Sequence, residues 1–443
     1  MAQHATGGDA TTGAGPVRTD PVPLTDPAEW RRVRQLFPLD TGGAYLNTAA
    51  IGSVPTPVLE LLGAADREYA RNPRDPYADT TLTAARSTLA ASYGCAPDEI
   101  AITQSATDAT TRILHGLDLG PGDEILTTSH ECFTVRSPLA LLAQRRGVVL
   151  RRLDPPVGPA QRAEQIVEMF AAAITDRTRV VQWPAVSLTI GTTFPTRELA
   201  ELAQRHGLVS VVDGAQLPGQ FVLDLHATGV DFLSASGGKY QCGPLGSGIL
   251  YARNRVLPEH NPAPLPTFWP VVSLTYPVDG VLPPRDSSRE PAYDLGALLQ
   301  QTDSADLSRA AALAAAAHLF DGLGRERVQR YVLGLGDHLR ERVIEHWGAD
   351  RLLSPHDDRR LHSSIVAFQP FSDPADLSEF ARFMEFETRM QREHGIAVQC
   401  VGFAPQGQPP TFAIRISPHL YNSREEIDQA VEAMRKVAEG FGR

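Results

Sequence analysis

The chain is 443 residues long and 42% apolar, with 41 basic and 52 acidic side chains giving a formal net charge of −11. That length exceeds one ordinary domain and can bury a large core, while the acidic balance gives nucleic acid or an anionic membrane surface no footing. The four cysteines, at 95, 132, 242 and 400, are far apart without a CxxC pair, which argues against a disulfide framework or a zinc site and reads as reduced thiols in a cytoplasm.

Residues 1–25 are rich in Gly, Thr and Pro, lack the apolar core of a signal peptide, and read as a disordered tail. No apolar run approaches the ~20 residues of a membrane span. The stretch WRRVRQLFPLDTGGAYLNTAAIGSVP then passes from a short amphipathic helix to an extended segment ending in Asn47, Thr48 and Ala49. From about residue 56 to about 310, strand candidates EIAIT, EILTTS, VVLRRL, RVVQWPAV, LVSVVDG, DFLSAS and SGILYA alternate with helix-period stretches such as RELAELAQRHG. That alternation is the pattern of a mostly parallel sheet covered on both faces, an α/β fold. The domain plan is a segment 26–55 packed with the small domain, a large domain 56–310, and a smaller α+β domain 311–443.

Several of these junctions carry chemistry. ITQSATDATTRIL opens a helix after the first strand, with Ser105, Ala106 and Thr107 at its N-terminus. Backbone N–H groups and hydroxyls there suit a phosphate, or else serve as an ordinary N-cap. LTTSHECFTVRSPL puts His130 just past a strand, as a structural imidazole or a proton-transfer group. VSVVDGAQLPG delivers Asp213 at the C-terminal end of a buried strand, where ligands bind in open α/β sheets. SASGGKYQCGP sets Lys239 among glycines that permit close approach of a ligand, the setting of a Schiff-base lysine or of a solvated turn. Residues 254–300 are proline-rich and read as a long active-site or interface excursion. Beyond them, DSADLSRAAALAAAAHLF offers Asp303, Ser304 or Asp306 as a helix cap, and SSIVAFQP, IAVQCV and TFAIRIS read as strands of the smaller domain.

Taken in order, SATDAT, DGAQ, SGGK, GPLGSGILY and FAIRISPHLYNSREEID resemble the class V aminotransferase superfamily of fold type I pyridoxal-phosphate enzymes. The superfamily includes cysteine desulfurases, kynureninases, isopenicillin N epimerase and hercynylcysteine sulfoxide lyases. The resemblance covers roughly residues 40 to 440 and implies pyridoxal 5′-phosphate as cofactor, with no metal. It implies that Lys239 holds the cofactor, Asp213 keeps its pyridine nitrogen protonated, and His130 stacks on the ring and moves protons, with Phe133 a rival for the stacking. It assigns the phosphate to Ser105, Ala106, Thr107 and Ser236, with Thr302 reaching across a homodimer interface, so that the active sites are shared. Leu188 stands where desulfurases carry an asparagine on the cofactor's phenolic oxygen, which leaves Gln216 to make that contact. Gly238 stands where many members have a histidine on the phosphate. Arg415 is implied to grip the substrate's α-carboxylate and Asn47 to line the mouth.

The implied reaction runs on an amino acid or its conjugate, through an external aldimine and a Cα carbanion. The best motif fit is to the epimerase and sulfoxide-lyase branch, which points to a C–S β-lyase on a cysteine S-conjugate in specialised metabolism. The alternatives are an aminotransferase or epimerase of a specialised amino acid, a cysteine desulfurase, or a non-enzymatic cofactor-dependent regulator. Cys400 lies in a strand-like stretch without the HHC-type loop of desulfurases and reads as structural.

Overall fold

The computed structural model describes residues 24–40, 42–73, 80–253, 268, 294–300, 305–371, 379–405, 407 and 409–441. Thr302, nearly all of the expected tail and most of the proline-rich stretch lie outside the described residues.

Helices α1 (Pro27–Arg34), α2 (Thr56–Arg71) and α3 (Thr81–Tyr93) lead into an alternating run. It comprises β1 (Ile100–Thr103), α4 (Ala106–Gly116), β2 (Glu124–Thr128), α5 (Phe133–Arg146), β3 (Val149–Leu153), α6 (Ala163–Ala173) and β4 (Thr178–Pro184). The run continues with α7 (Thr196–Arg205), β5 (Val209–Asp213), α8 (Leu225–Thr228), β6 (Phe232–Ser236) and β7 (Gly248–Ala252). Each expected strand is present. They form one seven-stranded sheet in the order β1-β7-β6-β5-β4-β2-β3, and β7 alone runs antiparallel to its neighbours. Strands such as VSVVD and GILYA are apolar on both faces because helices cover both. The pairing leaves β1, β2, β4, β5 and β6 ending at one edge of the sheet, where the connecting turns gather.

Helices α9 (Leu295–Gln300), α10 (Leu307–Leu323) and α11 (Arg325–Trp347) follow. Asp306 is the cap of α10, accepting from Arg309 N at 2.8 Å. The expected boundary at residues 310 and 311 falls inside this helix. Its Leu313 and Ala317 sit in the same core as Trp183, Leu199 and Leu233 of the sheet, while Ala312 and Ala316 pack on Val58. A helix whose length is spent on the large core belongs to it, so we place the division at Gly324, where φ of +83° breaks the path between α10 and α11.

The smaller unit carries β8 (Val366–Phe368), α12 (Phe380–His394), β9 (Gln399–Phe403), β10 (Thr411–Ile416) and α13 (Arg424–Glu439). Its antiparallel sheet, ordered β8-β10-β9, shares a core with Leu339, Val343, Phe383, Phe386, Val431 and Met434. Ser423 and Glu426 form a reciprocal capping box that starts α13 where the sequence places it. The N-terminal segment is stitched onto this sheet. Leu46 N donates to Ala397 O at 3.0 Å, and Ser417 N donates to Leu46 O at 2.7 Å.

Candidate active site

The strand ends of the large sheet and the edge formed by β9 and β10 enclose a cavity of about 500 Å³. Its lining brings together Ser105, Ala106, Thr107, His130, Phe133, Asp213, Gln216, Ser236, Lys239 and Arg415, residues spread over more than 300 positions of the chain. Asn47 is not part of the lining but reaches it through Arg415.

Lys239 is fixed by its turn rather than by a regular element. Gly243 N donates to Gly237 O at 2.7 Å, Cys242 N to Lys239 O at 3.0 Å, and Gly52 N crosses over to Gly238 O at 2.9 Å. A Cβ on Gly52 would lie 1.9 Å from Lys239 O, so glycine is what allows the N-terminal segment to lie against this turn. Desolvation pushes the Lys239 ammonium below its ordinary value, and Asp213 opposes that. Burial raises the Asp213 carboxyl, with Lys239 and the Ala215 N–H pulling it back. A lowered ammonium is what a lysine needs to be a free amine at neutral pH.

At the phosphate candidate, Ser105 is the N-cap of α4 and its Oγ accepts from Asp108 N at 3.1 Å, which leaves the hydroxyl hydrogen to donate. Asp108 would repel an anion, but Arg112 pairs with it at 2.7 Å. Both readings of this junction therefore hold at once: cap, and donor set at a helix N-terminus.

His130 is 5% exposed, and its Nε2 lies 3.3 Å from Pro155 O. A carbonyl requires a donor, so Nε2 carries the proton and Nδ1 is the lone-pair nitrogen. Burial pushes its pKa down to about 4, and the ring is neutral at pH 7. Phe133 is 74% exposed at the start of α5, on the rim.

Arg415 is held by Nη1 to Leu188 O at 3.0 Å and by Nη2 to Asn47 Oδ1 at 2.8 Å and to Gln399 Oε1. Leu188 thus contributes its carbonyl to this site. Both Nη2 hydrogens are committed, so a two-pronged grip on a carboxylate requires Asn47 or Gln399 to let go. The Gln216 Nε2 donates to Ala49 O at 3.0 Å.

Three described residues that line the cavity each carry a buried polar atom without a protein partner: His130 Nδ1, Gln216 Oε1 and Arg415 Nε. Buried groups left this way signal a missing ligand. With the α4 N-terminus for a dianionic phosphate and Asp213 facing Lys239 across the floor, the donor set fits pyridoxal phosphate.

Two residues that the motifs do not single out also belong here. Cys132 lines the cavity at the N-cap of α5, in the same lining as Lys239 and Arg415. Glu131 is 5% exposed beside it. A lone Cys or Glu after a strand carries no pattern, and only the placement of the turn beside Asp213 and Lys239 reveals them. Cys400 also lines the cavity, in β9, with its thiol pushed up to about 12 by burial and by Glu387. Among the described residues no cluster of His, Cys, Asp or Glu could hold a metal, and no helix is long and apolar enough to cross a membrane.

The chain is similar to the isopenicillin N epimerase of Streptomyces clavuligerus, 30% identical over 425 residues, covering 92% of this chain and 98% of that protein. It is 26% identical to a probable cysteine desulfurase of Halobacterium salinarum over 94% of this chain and 98% of that one. A solved C-DES mutant with glycine covalently linked to its PLP cofactor superposes with a TM-score of 0.73 at 22% identity, over 92% of this chain and 99% of that one. Residues 44–271, which hold every strand of the large sheet and the Lys239 turn, match the model of the aminotransferase class-V family. A cavity built to that family's cofactor and a match over half the chain agree: this protein belongs to the class V aminotransferases and is a pyridoxal-phosphate-dependent enzyme.

Proposed function

We propose that the enzyme is a β-lyase that cleaves the C–S bond of a cysteine S-conjugate. When bound, pyridoxal phosphate supplies the electron sink that stabilises negative charge at the substrate's Cα. Lys239 tethers the cofactor at rest and, released from it, takes the α-proton at Nζ. Asp213 holds a proton on the pyridine nitrogen, and neutral His130 covers the ring. Ser105, Ala106, Thr107 and Ser236 hold the phosphate, and Gln216 orients the ring. Arg415, set by Asn47, orients the α-carboxylate.

One observation carries the choice of reaction. Among the described residues lining the cavity, Arg415 is the only arginine and Lys239, which tethers the cofactor, the only lysine, so this lining offers a single carboxylate subsite. An aminotransferase that is regenerated by a dicarboxylic keto acid needs a second. The same lining carries Cys132, Phe133, Leu188 and Val401, apolar or sulfur-bearing side chains that suit a thioether or sulfoxide substituent. Epimerisation is the second reading, favoured by the near full-length likeness to an isopenicillin N epimerase. The desulfurase reading needs a nucleophilic thiol, and Cys400, held protonated in a strand, is a poor one.

The test is incubation with cysteine S-conjugates and their sulfoxides in deuterated water, following pyruvate, the cofactor spectrum and α-deuterium. Pyruvate and ammonia without build-up of the pyridoxamine form support the lyase. Stoichiometric conversion to pyridoxamine, restored only by a keto acid, overturns it, and α-deuteration without elimination transfers the assignment to an epimerase. Alanine with protein-bound sulfane sulfur, lost on Cys132→Ser or Cys400→Ser, would make it a desulfurase.

A further inference from the structure

Arg415 is a buried cation whose hydrogen-bond partners are all neutral. It is 1% exposed, and its side chain donates to the Leu188 carbonyl and to the amide oxygens of Asn47 and Gln399. A guanidinium taken out of water beside neutral acceptors alone is primed for an anion. One of its donors is unused, since Nε is buried with no hydrogen-bond partner. Nε and Nη2 form the side-on fork of a guanidinium, so a carboxylate that takes the free Nε brings its second oxygen to Nη2. Nη2 is the nitrogen that Asn47 and Gln399 share.

The two amides are not equally free to yield. Asn47 is outside the cavity lining, and its backbone is bridged to Ser417, with Thr48 N donating to Ser417 O at 3.1 Å. Gln399 is in the lining. It stands directly opposite Arg415 in the ladder of β9 and β10, so the two side chains share one face of that sheet. β9 is the edge strand, and Gln399 is only half-buried on it. Arg415 has only donors, so the amide atom facing it is Oε1, and among the described residues that contact is the one hydrogen bond of the Gln399 side chain. Its Nε2 is therefore free to donate, and a turn of the amide exchanges acceptor for donor without moving the strand.

We propose that Gln399 is the specificity-determining partner of Arg415: its amide oxygen stands in for a carboxylate while the subsite is empty, and the amide turns to donate Nε2 to the substrate's carboxylate when that arrives on Nε and Nη2. The neutrality of the side chain is what matters. An acid at this position would satisfy Arg415 permanently and repel the substrate, whereas the amide leaves the positive charge for the ligand. The inference rests on Arg415 as the carboxylate ligand of the proposed function, and it is independent of whether the reaction is elimination or epimerisation.

The test compares two probes that are alike except at the carboxyl, L-alanine and L-alaninamide, by equilibrium titration of the holoenzyme's cofactor absorbance at one pH. Wild type is expected to prefer L-alanine. Gln399→Glu is isosteric and gives Arg415 a resident anion. Its preference for L-alanine should fall by roughly 100-fold, the effect of setting two carboxylates beside one guanidinium, while L-alaninamide binds at least as well as to wild type. Gln399→Met neither pairs with Arg415 nor repels a carboxylate, and it should keep most of the preference. Gln399→Asp repeats the test if the glutamate variant does not load cofactor. A loaded Gln399→Glu protein with the wild-type preference, or a Gln399→Met protein that loses as much of it as Gln399→Glu, overturns the proposal. If Arg415→Met itself keeps the wild-type preference, the assignment of Arg415 fails first, a separate outcome that also removes the basis for Gln399.

Discussion

At the scale of single residues the site depends on groups held away from their solution behaviour. Arg415 is 1% exposed, and its three protein partners fix the plane of the guanidinium. A lysine carries the charge but cannot keep those contacts while binding a carboxylate. Arg415→Lys is therefore expected to lower kcat/KM by roughly 10- to 100-fold with cofactor loading unchanged, the loss of one or two charge-assisted hydrogen bonds. Steady-state kinetics beside the cofactor absorbance checks it. His419 gives a pH signature outside the cofactor site. It is fully buried, bonded through Nε2 to Tyr240 O at 2.7 Å, and its pKa is pushed down to about 3 by burial. The folded state then binds fewer protons than the unfolded state below pH 6.5, so stability falls as pH drops through that value. Between pH 6.5 and 4.5 this one site should remove about 2 kcal/mol, before acid titration of ion-paired carboxylates such as Asp337 begins. Urea unfolding of the wild type and of His419→Gln at both pH values measures it; equal losses would refute the assignment.

At the scale of elements, the site is a set of strand ends and the turns that follow them. Ser105 at the head of α4, Asp213 at the end of β5 and Ser236 at the end of β6 were each legible because an apolar run stops at a polar residue. Close approach of two turns was not legible. Gly52 reads as one glycine in a GSVP turn, yet its Cα faces the Lys239 carbonyl with no room for a methyl group. Gly52→Ala must displace backbone rather than a flexible side chain, at a cost of about 1–3 kcal/mol, and it should weaken cofactor retention more than global stability. Dialysis against phosphate followed by cofactor absorbance, beside a melting curve, separates the two. Wild-type retention in the alanine variant would show that the Lys239 turn tolerates movement.

At the scale of the whole molecule, the cavity lies between the sheet of the large unit and β9 and β10 of the smaller one, with Phe133 at its rim. Phe133 and Leu245 are 74% and 58% exposed, large apolar side chains flanking the cofactor turns. We propose that a second copy of the chain covers them; the resemblance implies in addition that Thr302, which lies outside the described residues, serves the phosphate of the neighbouring site in such a homodimer. Sedimentation at twice the chain mass, with weaker cofactor phosphate binding in Thr302→Ala, is the expected result. A monomer with full activity would exclude the shared site.

The sequence by itself determined the α/β class, the seven strands of the large sheet, the cap of α13 and the family, because these depend on short-range patterns: apolar runs, caps, and motif order along the chain. It also singled out Lys239, Asp213, His130 and Arg415. Only the tertiary structure decided that α10 belongs to the large core, that Asp306 caps it, that Leu188 serves Arg415 through its carbonyl, and that Cys132 and Glu131 stand at the site. The reason is physical. Burial, backbone approach and the coupling of one charge to another depend on which segments meet, and segments such as the β2 turn and the ends of β4 and β5 are distant in sequence, so no local pattern records their meeting.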